Sequence, residues 1–344
     1  MELILSISLL VAAFYVGWNI GANDAANCIG TTVGAAVLPY QRAALGMAVF
    51  VFLGGALQGH DVMETVGRGI VLTDAQSYVA ARATAPPPTL EQSFPNGRLP
   101  DRAILVALLS AGLFVSLATF SRFPVSTSQA IVGGVAGVGI GLAHFDPTFL
   151  DTSVVLRIAA SWVVSPILAM LLSFLLYWLL GIFLRRARAV AWSSLLRAGV
   201  LASAAYVSYS LGANDVGNAI GPLINKFPDR ITALSMLGGV AIAVGALTFG
   251  RRVTHTVGRD ITPLDYSAAL AAQVSAGFGV HVFSMLGIPV STSQAVVGAV
   301  VGVGLTKGVK AVSGTKIIAI MAGWIVTPLC AAAFAAATYW LIAA

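Results

Sequence analysis

Charge is what this chain has least of. Only 9% of its 344 residues are Asp, Glu, Lys or Arg, against roughly a quarter in an ordinary soluble domain, which excludes a water-soluble globule. Cysteine is almost missing too: Cys28 and Cys330 both lie in apolar context, so there is neither a disulfide framework nor a metal-ligand spacing. The four histidines, His60, His144, His255 and His281, show no HExxH arrangement, and no Walker loop, G-x-S-x-G elbow or Cys/His zinc pattern is present. ATP-driven machinery is therefore not suggested. The net charge of +6, from 19 Lys+Arg against 13 Asp+Glu, is scattered between apolar stretches and not gathered on one face, so nucleic-acid binding is not implied.

What is abundant is hydrophobic sequence, 58% of the chain. With about 20 apolar residues needed per bilayer crossing, the length admits roughly ten spanning segments. The class expected is an all-α polytopic membrane protein. Residues 1–20 lack a basic n-region and a small-residue cleavage site, so Leu3–Trp18 reads as a retained first helix and not a signal peptide.

Self-comparison organises the rest. Gly21–Gly30 (GANDAANCIG) and Gly212–Gly221 (GANDVGNAIG) share 7 of 10 residues at an offset of 191, and Glu64–Ile70 (ETVGRGI) recurs at that offset as His255–Ile261 (HTVGRDI). Phe123–Ile140 (FPVSTSQAIVGGVAGVGI) matches Ile288–Leu305 (IPVSTSQAVVGAVVGVGL) at 13 of 18 positions, now offset by 165, so the first half holds 26 extra residues. The polar, Pro-rich stretch 76–102 accounts for them and reads as an exposed loop insertion. Ser161–Leu180 resembles Gly323–Ile342, sharing the pairs Trp162/Pro166 and Trp324/Pro328. Two homologous halves follow, 1–180 and 197–344, joined by a short basic connection at 181–196.

Each half contains five apolar stretches. In the first half they are Leu3–Trp18, Ala43–Gln58, Ala103–Phe120, Val125–Leu142 and Val154–Leu180; the second has Arg197–Leu211, Ala233–Phe249, Ala268–Met285, Val290–Leu305 and Thr315–Ile342. If each crosses once, an odd number makes the second half enter from the opposite side, an inverted repeat; the short stretches are candidates for helical hairpins. Arg185, Arg186 and Arg188 in the connection favour a cytoplasmic side there, which puts both termini outside. Arg251, Arg252, Lys307, Lys310 and Lys316 fall on the same inner side, whereas Arg82, Arg98 and Arg102 of the insertion fall outside, against the trend.

Polar chemistry inside apolar sequence is concentrated in two repeated constellations. Asp24 and Asp215 each follow an apolar helix and are succeeded by small or apolar residues, which places them within the membrane, where a carboxylate costs at least ~2.5–3.5 kcal/mol and is usually paired, ion-bound or protonated. Flanking glycines lower helix preference by about 1 kcal/mol each, so a helix break is expected. Freed carbonyls with Asn23, Asp24 and Asn27, or Asn214, Asp215 and Asn218, would form an all-oxygen environment suited to a hard cation. The plainer alternative is helix–helix glue, small residues for close approach and Asn for bonds across the interface.

The second constellation is Pro124-Val125-Ser126-Thr127-Ser128-Gln129, repeated at Pro289-Val290-Ser291-Thr292-Ser293-Gln294. Proline followed by hydroxyl residues marks a helix start. Free N–H groups, the partial positive charge of a helix N-terminus and three hydroxyls could hold a tetrahedral oxyanion without Lys or Arg. The alternative is simple capping, and Gln129 and Gln294 do stand at the capping-box offset from Ser126 and Ser291. Arg68 and Arg259, at segment ends, read chiefly as anchors, with a role in drawing an anion inward as the minority reading. Hydroxyls, amides and two widely separated Asp offer no nucleophile–base pair, so no enzyme is expected.

The decapeptides resemble the duplicated GANDVANA signature of the inorganic phosphate transporter family, and the paired PVSTSQA blocks extend the resemblance over both halves, leaving out mainly 76–102. The resemblance implies an inverted-repeat carrier with discontinuous helices or hairpins, moving inorganic phosphate with Na+ or H+ by alternating access in the cell membrane, and needing no cofactor. Carried over by position, it implies phosphate contacts from Asn23, Asn214, Ser126, Thr127, Ser128, Gln129, Ser291, Thr292, Ser293 and Gln294. It implies cation contacts from Asp24, Asn27, Asp215 and Asn218, with Asp24 and Asp215 as Na+ ligands if sodium is the coupling ion. Where the signature has Ala-Asn-Ala the chain has Ala26-Asn27-Cys28 and Gly217-Asn218-Ala219, so Cys28 and Gly217 are small-for-small exchanges. A homodimer is expected by analogy alone. The family also includes sulfate permeases. Phosphate at neutral pH keeps a proton to donate and sulfate does not, so a site with a carboxylate acceptor favours phosphate unless both carboxylates serve cations. A passive anion channel is the remaining alternative.

Overall fold

The structure, a computed structural model, describes residues 2–94, 96–121, 125–184, 189–251, 265–308 and 314–343. Outside them lie Phe123 and Pro124, the basic cluster Arg185, Arg186 and Arg188, the second TVGR segment with His255 and Arg259, and Arg252 and Lys310. The side chain of Lys316 is likewise outside.

Ten helices of 15 residues or more build the described chain, five per half. They are α1 (Glu2–Gly34), α2 (Tyr40–Gln58), α3 (Asp101–Phe120), α4 (Thr127–Leu142), α5 (Thr152–Leu184), α6 (Ala189–Ile220), α7 (Ile231–Thr248), α8 (Tyr266–Met285), α9 (Thr292–Thr306) and α10 (Gly314–Ala343). Apart from one isolated antiparallel bridge between Val71 and Leu150, no β-structure occurs among the described residues. Seven of the helices, α1, α2, α3, α5, α7, α8 and α10, are long and apolar enough to cross a membrane. α6 is as long as α1 but more polar. The Gly-rich α4 and α9, of 16 and 15 residues, reach only about 22–24 Å at 1.5 Å per residue, short of a ~30 Å hydrocarbon core. Each folds back on the helix before it, α4 on α3 and α9 on α8, as a helical hairpin.

The helix break expected at the glycine-rich decapeptides does not occur: α1 runs unbroken through Gly21–Gly30, and α6 runs through Gly212 to Ile220. An intact helix satisfies its own backbone polar groups, and in hydrocarbon that outweighs about 1 kcal/mol of lost propensity per glycine. The missing Cβ atoms serve contact instead. A Cβ at Gly21 would collide with the carbonyl of Ile242 on α7, and one at Gly212 with the carbonyl of Val51 on α2. Thus α1 lies on α7 and α6 on α2, each helix pairing with a member of the opposite half. The hairpins obey the same exchange: α4 packs on α10 where Gly133 meets Pro328, and α9 on α5 where Gly298 meets Pro166. Both prolines stand inside their helices.

The 76–102 stretch lies largely on the surface, as its composition suggests, but it is not a bare loop. It contains helical turns at Ala75–Arg82 and Thr89–Ser93, and Tyr78, Leu90, Phe94 and Leu99 are buried in the main core. The rings of Tyr78 and Phe94 lie 6.0 and 5.9 Å from that of Phe149. Four apolar anchors secure a segment whose other residues are mostly polar, which average composition conceals. Arg98 Nη1 donates to the Asn225 carbonyl at 3.1 Å, and Lys226 pairs with Asp101 at 2.6 Å, tying the insertion to the second half.

Candidate functional site

The two aspartates sit in the C-terminal third of α1 and of α6, 1% and 0% exposed. Because the helices are unbroken, their neighbourhood is made by side chains and not by released carbonyls. Each carboxylate takes two donors from its own helix, one turn apart. Asp24 Oδ1 accepts from Asn23 Nδ2 at 3.2 Å and Asn27 Nδ2 at 2.7 Å; Asp215 Oδ1 accepts from Asn214 and Asn218, both at 2.9 Å.

The hairpin tips supply the remaining donors, in a crossed pattern. Thr127 Oγ1 donates to Asp24 Oδ2 at 2.9 Å, but the next residue, Ser128, lies 3.1 Å from Asp215 Oδ1. The second tip mirrors this, with Thr292 Oγ1 donating to Asp215 Oδ2 at 3.1 Å and Ser293 Oγ to Asp24 Oδ1 at 3.0 Å. Every carboxylate is thus held by the threonine of its own half and the serine of the other. Asn27 and Asn218 lock the exchange by donating to Ser293 and Ser128, both at 2.9 Å.

The outer residues of each tip do structural work. Ser126 and Ser291 accept from the backbone N–H of Gln129 and Gln294 at 3.3 Å, ordinary N-caps on α4 and α9. Asn214 clamps the second tip by its backbone, accepting from Val290 N at 3.0 Å and donating to Val290 O at 2.8 Å. Ser128 has one proton and two acceptors in reach, Asp215 and the Val290 carbonyl at 2.8 Å. All the residues named from the two motifs therefore converge on one buried cluster, except that Gln129 and Gln294 turn their amide oxygens elsewhere. These Oε1 atoms, like Asn218 Oδ1, are buried without a hydrogen-bond partner.

Other candidates lie apart from the cluster. Arg68 donates to Asn225 Oδ1 at 2.6 Å and to Glu64 at 3.1 Å, an anchoring role at the end of the π-helical turn Thr65–Gly69. His281 braces three helices, lying 3.1 Å from the Tyr206 hydroxyl and 2.7 Å from Gln58 Oε1. Its counterpart at the 165-residue offset, Ser116, bonds Tyr15 at 2.6 Å and Asn19 at 2.7 Å. Neither Ser116 nor Gln58 was singled out from sequence. The repeat offset applied to His281 would have pointed to Ser116; nothing local marks Gln58.

A duplicated, membrane-embedded helical scaffold that encloses its acidic groups with hydroxyls from both halves has the architecture of a transporter. Comparison with known proteins makes the class specific: a profile of the phosphate transporter family matches residues 20–335, and the chain belongs to that family. It is 30% identical to a provisionally named phosphate permease of Thermococcus kodakarensis, over 92% of this chain and 93% of that one. It is 27% identical to the chloroplastic inorganic phosphate transporter 2-1 of Arabidopsis thaliana, over 98% of this chain and 72% of the relative. Among solved structures, one titled a sodium-dependent phosphate transporter superposes with a TM-score of 0.81 at 27% identity, covering 99% of both chains. The resemblance carried by the paired signatures is met.

Proposed function

We propose that this chain is a symporter that imports inorganic phosphate with Na+ by alternating access. The observation that carries the reading is the crossed donation: each aspartate is held by hydroxyls from both hairpin tips, so any change in charge at one carboxylate is felt by both halves.

The chemistry follows from counting protons. Four hydroxyls, Thr127, Ser128, Thr292 and Ser293, point their single protons at carboxylates or, for Ser128, alternatively at Val290. A cation bound to Asp24 and Asp215 takes over the carboxylate oxygens, and the hydroxyls then turn lone pairs to the cation and protons to an incoming anion. Asn27 and Asn218 complete each cation site; the unpartnered Asn218 Oδ1 is a ready ligand beside Asp215. Phosphate is received by these hydroxyls and by the N-terminal turns of α4 and α9, where helix dipoles favour negative charge. Asn23, Asn214, Ser126 and Ser291 shape the anion site from its edges, and Gln129 and Gln294 contribute only through the backbone N–H groups that hold Ser126 and Ser291. Cation binding thus precedes and permits phosphate binding, which is coupling. Na+ is preferred to H+ because the similar solved structure is titled sodium-dependent.

The crossed donation and the exchanged helix pairing between the halves support an inverted repeat, with both termini outside the cell membrane and 181–196 cytoplasmic. The test is labelled phosphate uptake into proteoliposomes under imposed Na+ or H+ gradients. Na+-driven, saturable accumulation that equimolar sulfate does not inhibit is expected. Accumulation driven by H+ alone would replace the coupling ion, sulfate displacement would move the chain to the sulfate branch, and flux indifferent to both gradients would make it a channel.

A further inference from the structure

Each half ties the outer arm of its hairpin to its acid-bearing helix by a hydrogen-bond relay of the same form. In the first half the Tyr15 hydroxyl lies 2.6 Å from Ser116 Oγ on α3, and Ser116 donates to Asn19 Oδ1 at 2.7 Å. At the repeat offsets of 191 and 165, Tyr206 stands for Tyr15 and His281 for Ser116. The Tyr206 hydroxyl lies 3.1 Å from His281 Nδ1, and His281 Nε2 lies 2.7 Å from Gln58 Oε1. An amide oxygen only accepts, so Nε2 carries the ring proton and Nδ1 accepts from the tyrosine. Both relays therefore run from a tyrosine, through the hairpin arm, to an amide oxygen. They differ in two ways. The first ends on α1, within its own half, whereas the second ends on α2, across the halves. The middle member of the second is an imidazole, which changes charge between about pH 5 and 8, where a serine hydroxyl does not.

Protonation undoes the match. With both ring nitrogens as donors, Gln58 still accepts, but Nδ1–H meets the proton of the Tyr206 hydroxyl. The elements packed on α8 offer no counter-ion. Tyr206 and Tyr209 of α6 bring rings to 5.6 and 5.7 Å from the imidazole, α5 meets Gly279 with Ser165 and Ala169, and α9 holds no titratable residue. From α1 the titratable group beside α8 is Cys28, whose carbonyl accepts from Gln273, about two helical turns from His281. Asp265, Tyr177 and Lys307 gather at the far end of α8. His60, Asp61 and Glu64, on the turn that follows Gln58, pair with one another. The side chains of His60 and Asp61 are 54% and 62% exposed, which marks where water reaches the relay, since charge is not left bare in hydrocarbon. An imidazolium without a counter-ion favours a conformation that hydrates it. We propose that the His281 relay is a proton-released latch on the second hairpin. Neutral, it holds α8 to α6 and α2; protonated, it lets go, and the tip bearing Thr292 and Ser293 is freed. The first hairpin, held through Ser116, does not respond. This inference rests on the symporter reading above, in which the hairpins are gates, and it adds control of one gate by pH without making H+ the driving ion.

The reporter is Ser284→Cys, on α8 beside the relay and 1% exposed, in the full chain carrying Cys28→Ala and Cys330→Ser, reconstituted with equal pH on both sides of the membrane. The probe is N-ethylmaleimide. Its labelling rate is divided by that of the same chain with His281→Gln, which keeps a donor for Gln58 and cannot charge, so the titration of the thiol itself cancels. The expected ratio is near one at about pH 8 and about fivefold at about pH 5, the factor one net hydrogen bond confers. Should His281→Gln fail to fold, His281→Ser, which copies Ser116, takes its place. Thr119→Cys, the equivalent position on α3, should give a ratio near one at both values. A Ser284→Cys ratio that does not change with pH, an excess shared by Thr119→Cys, or no labelling of Ser284→Cys at either pH would overturn the proposal. The labelling needs no phosphate transport, so a failed uptake assay and a failed latch are told apart.

Discussion

Ser293 Oγ lies 3.0 Å from a carboxylate oxygen of Asp24, a residue 269 positions earlier in the chain. The reciprocal pair, Ser128 and Asp215, lies at 3.1 Å. These two bonds join the acid of one half to the hairpin of the other, and the coupling proposed above depends on both.

Asp24→Asn keeps the side chain's shape but replaces one acceptor oxygen by a donor, facing donors already supplied by Asn23, Asn27, Thr127 and Ser293. Na+-driven phosphate uptake in proteoliposomes should fall by about 100-fold or more, as expected for loss of a charge-assisted site worth about 3 kcal/mol. Uptake at the wild-type rate would remove Asp24 from the mechanism.

Ser128→Ala and Ser293→Ala should act alike, because they occupy equivalent places in the crossed pattern. Each should raise the Na+ concentration for half-maximal uptake by roughly tenfold, about 1.4 kcal/mol. If only one did, the two carboxylates would serve different ions.

Gly298→Ala and Gly46→Ala should shift stability in opposite directions. A Cβ at 298 meets the Pro166 backbone, whereas one at 46 meets nothing within 4 Å. Thermal unfolding in detergent should show Gly298→Ala lower by about 1–3 kcal/mol and Gly46→Ala higher by up to about 1 kcal/mol, the helix-propensity gain.

The Lys226–Asp101 pair, with side chains 17% and 14% exposed, should be costly to break from one side. Lys226→Met leaves the largely enclosed carboxylate with only the more distant Arg98, at 3.7 Å, and should lose about 1–2 kcal/mol, less than for a pair with no second cation; adding Asp101→Leu should restore part of it. Thermal unfolding of the two variants separates the outcomes.

Asp74 caps the helical turn Ala75–Arg82 by accepting from Ser77 N at 2.9 Å. Burial pushes its carboxyl up, but the Ser77 hydroxyl and the backbone N–H groups of Ser77 and Gln76 outweigh it and hold it below 3.8. A lowered folded value means the cap contributes above the ordinary value and is lost as pH falls through the lower one. Hydrogen exchange in 77–82 should therefore rise only in strong acid, and Asp74→Ala should reproduce the rise at neutral pH at a cost of about 1 kcal/mol.

Much of the site was legible because it is written twice. Asp24, Asn27 and the STSQ tips stood out by recurring, and the ten helices follow the ten apolar stretches. Adjacency misled, however: Thr127 and Ser128 are neighbours in sequence yet serve different acids, because successive side chains on a helix point about 100° apart. Gly21 and Gly212 invited a break when weighed by propensity, since the carbonyls of Ile242 and Val51 that require them come from far along the chain. The insertion looked like loop because Tyr78, Leu90 and Phe94 are sparse among polar residues and find Phe149 only in three dimensions.

The exchange of partners, α4 on α10 and α9 on α5, makes the two halves interdependent. Either half made alone would carry an acid short of one hydroxyl and a hairpin with no wall to rest on. A fragment holding one half would therefore lack both a complete acid site and a seat for its hairpin, and only co-expression with the other half should supply them.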